Sequence, residues 1–259
     1  MSERLWRLNT AHRMGWISFF KEYPPKILAL TAIPRVLLQS AFFVLLAGVV
    51  GGFAAEKFAL IGVMGTTMTI FTVTSICDVP ILEAQSATFY RHRVGIVSPF
   101  AALMCRGVPH AVAGMCAATL ILSAVAPATG HSGLVTDLLA YFPIYLLMAV
   151  TCTIGGLTIG VLSSPSDNQV LASNLYGYLI LILSGAVIPV ERLGVFGDLG
   201  MVLPMHHGVA AVRAALAQQP WAMAVLMEVA VGALWITLAW ASVAYRVRLA
   251  RVRGAADHS

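Results

Sequence analysis

Followed residue by residue, the chain is a series of apolar runs separated by single charges or short polar breaks. Such runs lie between Arg35 and Glu56, Lys57 and Asp78, Arg106 and Asp137, Asp137 and Asp167, and Asp167 and Glu191. A last run goes from about Ala222 to Tyr245 and is interrupted only by Glu228. A bilayer's hydrocarbon core is about 30 Å thick and an α-helix rises about 1.5 Å per residue, so about 20 largely apolar residues make one crossing. Each run meets that length. The pattern predicts an all-α integral membrane protein of six transmembrane helices, organised as a single transmembrane domain over residues 1–259.

The flanks divide that domain further. Residues 4–23 set Leu5, Leu8, Trp16, Ile17 and Phe20 among Arg4, Arg7, Arg13 and Lys21, the pattern of an amphipathic helix lying in the membrane interface. Pro24-Pro25 ends it, so residues 1–32 are read as an interfacial helix on the cytoplasmic side, 33–245 as the six-span bundle and 246–259 as a basic tail. The first two spans are expected to form a hairpin turning at Glu56-Lys57. The one substantial inner loop is 78–98, where Pro80 is expected to end the preceding helix and the stretch from Ile81 to Arg93 can form a short helix of its own. Residues 187–219 are apolar but broken by Pro189 and Pro204. They predict a re-entrant outer segment of short helices ahead of the last span, with its backbone satisfied against protein.

Composition agrees, with 59% hydrophobic and 10% charged residues against about 25% charged in a soluble domain. Charge adds orientation. Cytoplasmic loops retain Lys and Arg, and with an inward N-terminus thirteen of the sixteen fall inside, leaving only Lys57, Arg192 and Arg213 outside. The chain is therefore expected in the cytoplasmic (inner) membrane, multi-pass, with both termini cytoplasmic. Topology and contact with anionic membrane lipid account for the net charge of +5 without a nucleic acid partner. Cys77, Cys105, Cys116 and Cys152 lie in or beside apolar runs and are expected as free thiols, and no cleavable signal peptide is evident.

The candidate chemistry is sparse. No Asp, Glu, Lys or Arg falls at the centre of any run, where an ion-coupled transporter keeps them. Arg106, His110 and Glu228 lie off-centre and read as snorkelling charges and a packed histidine. No cofactor is expected on this chain: the lysines are Lys21, Lys26 and Lys57, and none follows the glycine loop that cradles ATP phosphates. His206-His207 lacks a third ligand at a recognised spacing, so no metal is expected, and their role is left open. Ser163, Ser164 and Ser184 lack the partners of an intramembrane protease. Trp221, Trp235, Trp240, Tyr145, Tyr176 and Tyr178 could line a path or form packing and interfacial belts, and Gly156 and Gly160 have the GxxxG spacing of a close helix contact, internal or at a dimer seam.

Three local patterns resemble the permease subunit of type-2 ABC exporters. In the inner loop Glu83, Thr88, Arg91, Arg93 and Pro99 follow the order of that family's coupling segment, with Ala87 where glycine is usual. The fifth run ends in SGAVIP (184–189), similar to the family's small-residue and proline ending. The segment LPMHHGVAAVRAAL (203–216) has its proline, short apolar helix and arginine, here Pro204 and Arg213. The resemblance implies a non-catalytic transport subunit that moves an apolar or amphipathic compound (drug, antibiotic or lipid-like) out of the cell. It further implies two copies of a separate ABC ATPase carrying ATP and Mg, a second permease copy or homologous permease, and coupling through Glu83, Thr88, Arg91 and Arg93. A secondary transporter or channel without an ATPase, and an intramembrane enzyme or scaffold, are the competing classes.

Overall fold

The computed structural model describes residues 3–85, 97–164 and 168–252, and among them the chain is helical with no strand. In chain order the helices are α1 (Glu3–Glu22), α2 (Ile33–Thr69), α3 (Ile76–Gln85), α4 (Pro99–Leu120), α5 (Gly133–Ala140), α6 (Phe142–Ser163), α7 (Gln169–Leu183), α8 (Val195–Gly200), α9 (His206–Leu216) and α10 (Ala222–Val252). Wide, π-helical turns at Leu28–Ala32, Ile70–Ser75 and Ile121–Val125 continue the helices they adjoin. Four helical stretches are long and apolar enough to cross a membrane: Pro25–Pro80, Pro99–Ala128, Phe142–Ser163 and Ala222–Leu249. Val170–Leu183 is a shorter apolar helix.

The first stretch folds back on itself. Ser40 and Thr67 would stand about 40 Å apart along a straight helix, yet their hydroxyls are 3.4 Å apart. The reversal is at Gly52, whose φ of 69° and ψ of −164° suit glycine and not an L side chain. The turn therefore precedes the expected Glu56-Lys57, because those two residues keep helical backbone and only glycine tolerates the reversing conformation. The Glu56 carboxylate folds back into the space beside Gly48, which a side chain there would fill.

Pro80 does not end its helix. It removes one backbone hydrogen bond, but Ile76, Cys77, Val79 and Pro80 are all buried, and α3 runs on to Gln85. Packing against α6 explains this: Gly156 and Gly160 let the backbone of Val73 and Cys77 approach so closely that a Cβ on Gly156 would lie 2.9 Å from the Val73 Cα. The GxxxG pair thus serves internal packing. Three turns earlier on α6 stands Tyr145, fully buried, whose hydroxyl donates to the Ile61 carbonyl at 3.2 Å. The helix becomes the axis around which the second arm of α2, α4, α7 and α10 gather.

Helix α1 is more closely held than an interfacial helix needs to be. Gly15 and Phe19 are buried against α4, with a Gly15 Cβ only 2.9 Å from the Arg106 Cα and the Phe19 ring edge-on to His110 at 5.3 Å. Leu5, Trp6, Ile17 and Phe20 face outward. His110 itself is buried and bonded to the Ser75 hydroxyl at 2.8 Å, as a packed histidine should be. At the opposite end of the bundle the Phe53 ring stacks on His131 at 4.2 Å, and Glu56 Oε2 lies 3.8 Å from His131 Nε2, tying the α2 reversal to the loop before α5.

Candidate functional site

Two regions drew attention in the sequence, and the structure treats them differently. Of the coupling residues, Glu83 falls within α3, but its side chain and the whole of Thr88, Arg91 and Arg93 lie outside the described residues. Pro99 opens α4, where the Ser98 hydroxyl caps the helix by accepting from the Ala101 N–H at 3.2 Å.

The segment between α7 and α10 is fully described. Prolines break it into pieces, as expected: Pro189 starts a 3₁₀ turn at Val190–Arg192, α8 follows, and buried Pro204 precedes α9. Short helices leave many backbone groups without partners inside the helix, and apolar surroundings make each of them costly. Side chains from the segment and from its neighbours meet that demand.

Arg213, in the last turn of α9, donates to three backbone carbonyls. They are Gly185 at 2.6 Å, Ala186 at 3.0 Å and Phe58 at 3.2 Å. Its guanidinium also lies 3.4 Å over the centre of the Phe58 ring. One planar fork thus joins α9 to the end of α7 and to the second arm of α2. Close backbone approach helps: a Cβ on Gly62 would run into the Ala186 carbonyl.

At the other end of α9, Glu228 reaches across from α10. Read from sequence it snorkels, but the structure corrects this, because Glu228 is fully buried. Its Oε1 accepts from the Thr151 hydroxyl at 2.7 Å and from the Met205 N–H at 2.9 Å, and its Oε2 accepts from the Gly208 N–H at 3.0 Å. A carboxylate within a span costs about 2.5–3.5 kcal/mol on insertion scales and is retained only with partners. Here the partners are a hydroxyl of α6 and the N-terminal amides of α9, whose dipole favours an anion. The approach constrains the backbone. Met205 adopts φ 75°, a conformation uncommon for a residue other than glycine, and a Cβ on Gly208 would collide with Met148 and lie 3.6 Å from the Glu228 carboxyl carbon.

Three further bonds complete the arrangement. The indole of Trp235 donates to the Val202 carbonyl at 2.9 Å, His206 Nδ1 to Leu183 O at 3.0 Å, and His207 Nε2 to Met201 O at 3.0 Å. The histidine pair therefore serves backbone satisfaction, each ring nitrogen meeting a carbonyl that can only accept. Of the aromatic residues weighed as path-lining, Tyr145, Tyr176 and Trp235 are packed inside, while Tyr178 and Trp240 face outward. The sequence singled out Pro189, Pro204 and Arg213, and the structure brings Arg213 and Pro204 into one compact unit with Glu228, Thr151 and Trp235. The last three were missed as a unit. The available signal was Glu228 itself, the lone acid in an otherwise uncharged run.

What this geometry can do is hold, in an apolar setting, a broken segment that would otherwise leave backbone groups bare. A search of curated proteins finds no match. The family model for the ABC-2 type transporter matches residues 24–217, which takes in the helices from Pro25 through α9, with Pro204 and Arg213, and ends before α10. By that match over most of its length, the chain belongs to the ABC-2 type transporter family.

Proposed function

We propose that this chain is the membrane half of an ATP-driven exporter that moves an apolar or amphipathic compound, drug-, antibiotic- or lipid-like, outward across the cytoplasmic membrane. The family match over residues 24–217 carries the reading: the family is one of membrane-spanning transport subunits that work with an ABC ATPase. In this proposal the chain crosses six times with both termini inside, and it binds no ATP. Two ATPase copies dock on the face that bears the 78–98 loop, and Glu83, Thr88, Arg91 and Arg93 receive their closure. A second permease copy, identical or homologous, completes the path, and the outward side chains of the first α2 arm, among them Leu38, Phe42, Val49 and Val50, are the apolar surface available to it.

The distribution of basic residues supports the orientation. The placement of α3 supports the coupling role: its buried half packs on the central α6, so a push delivered beyond Gln85 would reach the bundle axis through contacts that are too tight to absorb it.

The test is affinity purification of the tagged chain from its native membrane, followed by reconstitution. A P-loop ATPase should co-purify, and proteoliposomes should move an amphipathic fluorescent dye only with ATP and Mg present. Uphill transport by the chain alone would overturn the reading. Glu83→Ala should leave assembly intact and lower dye transport, and unchanged transport would remove Glu83 from the coupling set.

A further inference from the structure

The last helix grips the broken segment at two points on one face. Glu228 and Trp235 are seven residues apart on α10, two helical turns, and so point the same way. One takes the amides of Met205 and Gly208 and the other gives its indole N–H to Val202. Two attachments about 10 Å apart along an axis resist both sliding and swinging, which one attachment does not. Thr151 adds the central helix to the same carboxylate. At the far end of α9, Arg213 carries the opposite charge, so both ends of the α9 dipole are matched by groups that also anchor it.

We propose that Glu228 is a positioning residue for transport: its carboxylate clamps the first turn of α9 to α6 and α10, so that residues 202–209 and the last helix move as one body when the transporter switches. The transport part rests on the exporter reading, whereas the clamp itself does not. Both carboxylate oxygens act only as acceptors, so Glu228→Gln is the informative change: one oxygen becomes an NH₂ facing an N–H, and either Gly208 or the Met205–Thr151 side loses its acceptor. The substituted residue keeps its size and still sits among the same neighbours.

Two measurements on the full-length protein decide it. Amide hydrogen exchange of the purified chain in detergent should show the peptide covering 203–210 protected, with exchange about tenfold faster in Glu228→Gln and unchanged in Leu226→Ala, an outward-facing control on the same helix. Equal exchange in Glu228→Gln and the unaltered protein overturns the clamp, whatever partner is found. In the reconstituted complex, dye moved per ATP hydrolysed should fall about fivefold or more in Glu228→Gln while ATP turnover by the partner persists. A parallel loss of both, or an unchanged ratio, reduces Glu228 to a packing group and overturns the positioning role. Should Glu228→Gln not accumulate, Thr151→Val removes one donor at nearly constant volume, and an unchanged transport-to-hydrolysis ratio in that variant is equally fatal. If no ATPase is recovered the exporter reading fails, and hydrogen exchange alone then judges the clamp.

Discussion

The guanidinium of Arg213 lies flat over the Phe58 ring, 3.4 Å from its centre, while one of its nitrogens donates to the carbonyl of the same residue at 3.2 Å. A lysine could reproduce neither the flat contact nor the fork that spans Gly185, Ala186 and Phe58. Arg213→Lys is therefore expected to lower thermal stability in detergent. Arg213→Ala should lower it further, by about 1–3 kcal/mol for each buried acceptor left unmet. A melting curve for Arg213→Lys that overlays the parent would show that charge alone suffices.

Close backbone contact at the axis makes a second expectation. A methyl at Gly160 would approach the backbone of Cys77, and one at Gly156 that of Val73, whereas one at Gly133 meets nothing within 4 Å. Gly156→Ala and Gly160→Ala should each cost about 1–3 kcal/mol through overpacking. Gly133→Ala should be neutral or slightly stabilising, through lower entropy of the unfolded chain. Denaturant titration of the three variants side by side reads the ranking, and equal midpoints would contradict the packing described.

The α2 reversal can be captured covalently. In a background without the four native cysteines, Ser40→Cys with Thr67→Cys should oxidise to an intrachain disulfide, recovered as one cross-linked peptide by mass spectrometry. A helix running straight through Gly52 would leave both thiols free. Gly52→Ala, which places a side chain at positive φ, should reduce the yield of folded protein.

Glu22 closes α1 outside the spans, and burial first, then the nearby Asp78 charge, hold its carboxyl above the usual value of 4.5. An acid whose folded value exceeds its unfolded one binds more protons in the folded state, so its contribution to stability is present at low pH and is lost as pH rises through that window. Glu22→Gln should therefore raise the melting temperature at neutral pH, with a gain that shrinks as pH is lowered toward the ordinary carboxylate range. A gain independent of pH would assign the effect to something other than charge.

Much of the bundle could be read in advance because membrane crossing imposes a length and a polarity on contiguous residues, and both are local in sequence. The break at Pro189 and Pro204 was visible for the same reason. The position of the α2 reversal was not: Glu56-Lys57 is the polar pair, but the turn goes where φ must be positive, and only Gly52 among several nearby glycines is used so. Pro80 misled in the opposite sense, since a missing hydrogen bond ends a helix only when packing does not hold it, and Val79 and Pro80 are buried. The clamp around Glu228 was hidden because two of its three donors are backbone amides, which every residue but proline owns. What could have been weighed was the insertion cost of a solitary acid, which requires partners somewhere. Arg213 was legible through family resemblance, but its three carbonyl acceptors lie at distances of 27 to 155 residues along the chain.

The wide turns at Leu28–Ala32, Ile70–Ser75 and Ile121–Val125 hold one further meaning. A π-turn accommodates a residue more than the α-helical turn it replaces, so each of these stretches carries slack in its contour. Tightening one to ordinary α-geometry would feed out about 1.5 Å and rotate everything beyond it by about 100°. The turn at Ile70–Ser75 stands between the second arm of α2 and α3, so the side chains of α3 leave the arm about 100° out of the register that an unbroken α-helix would give them.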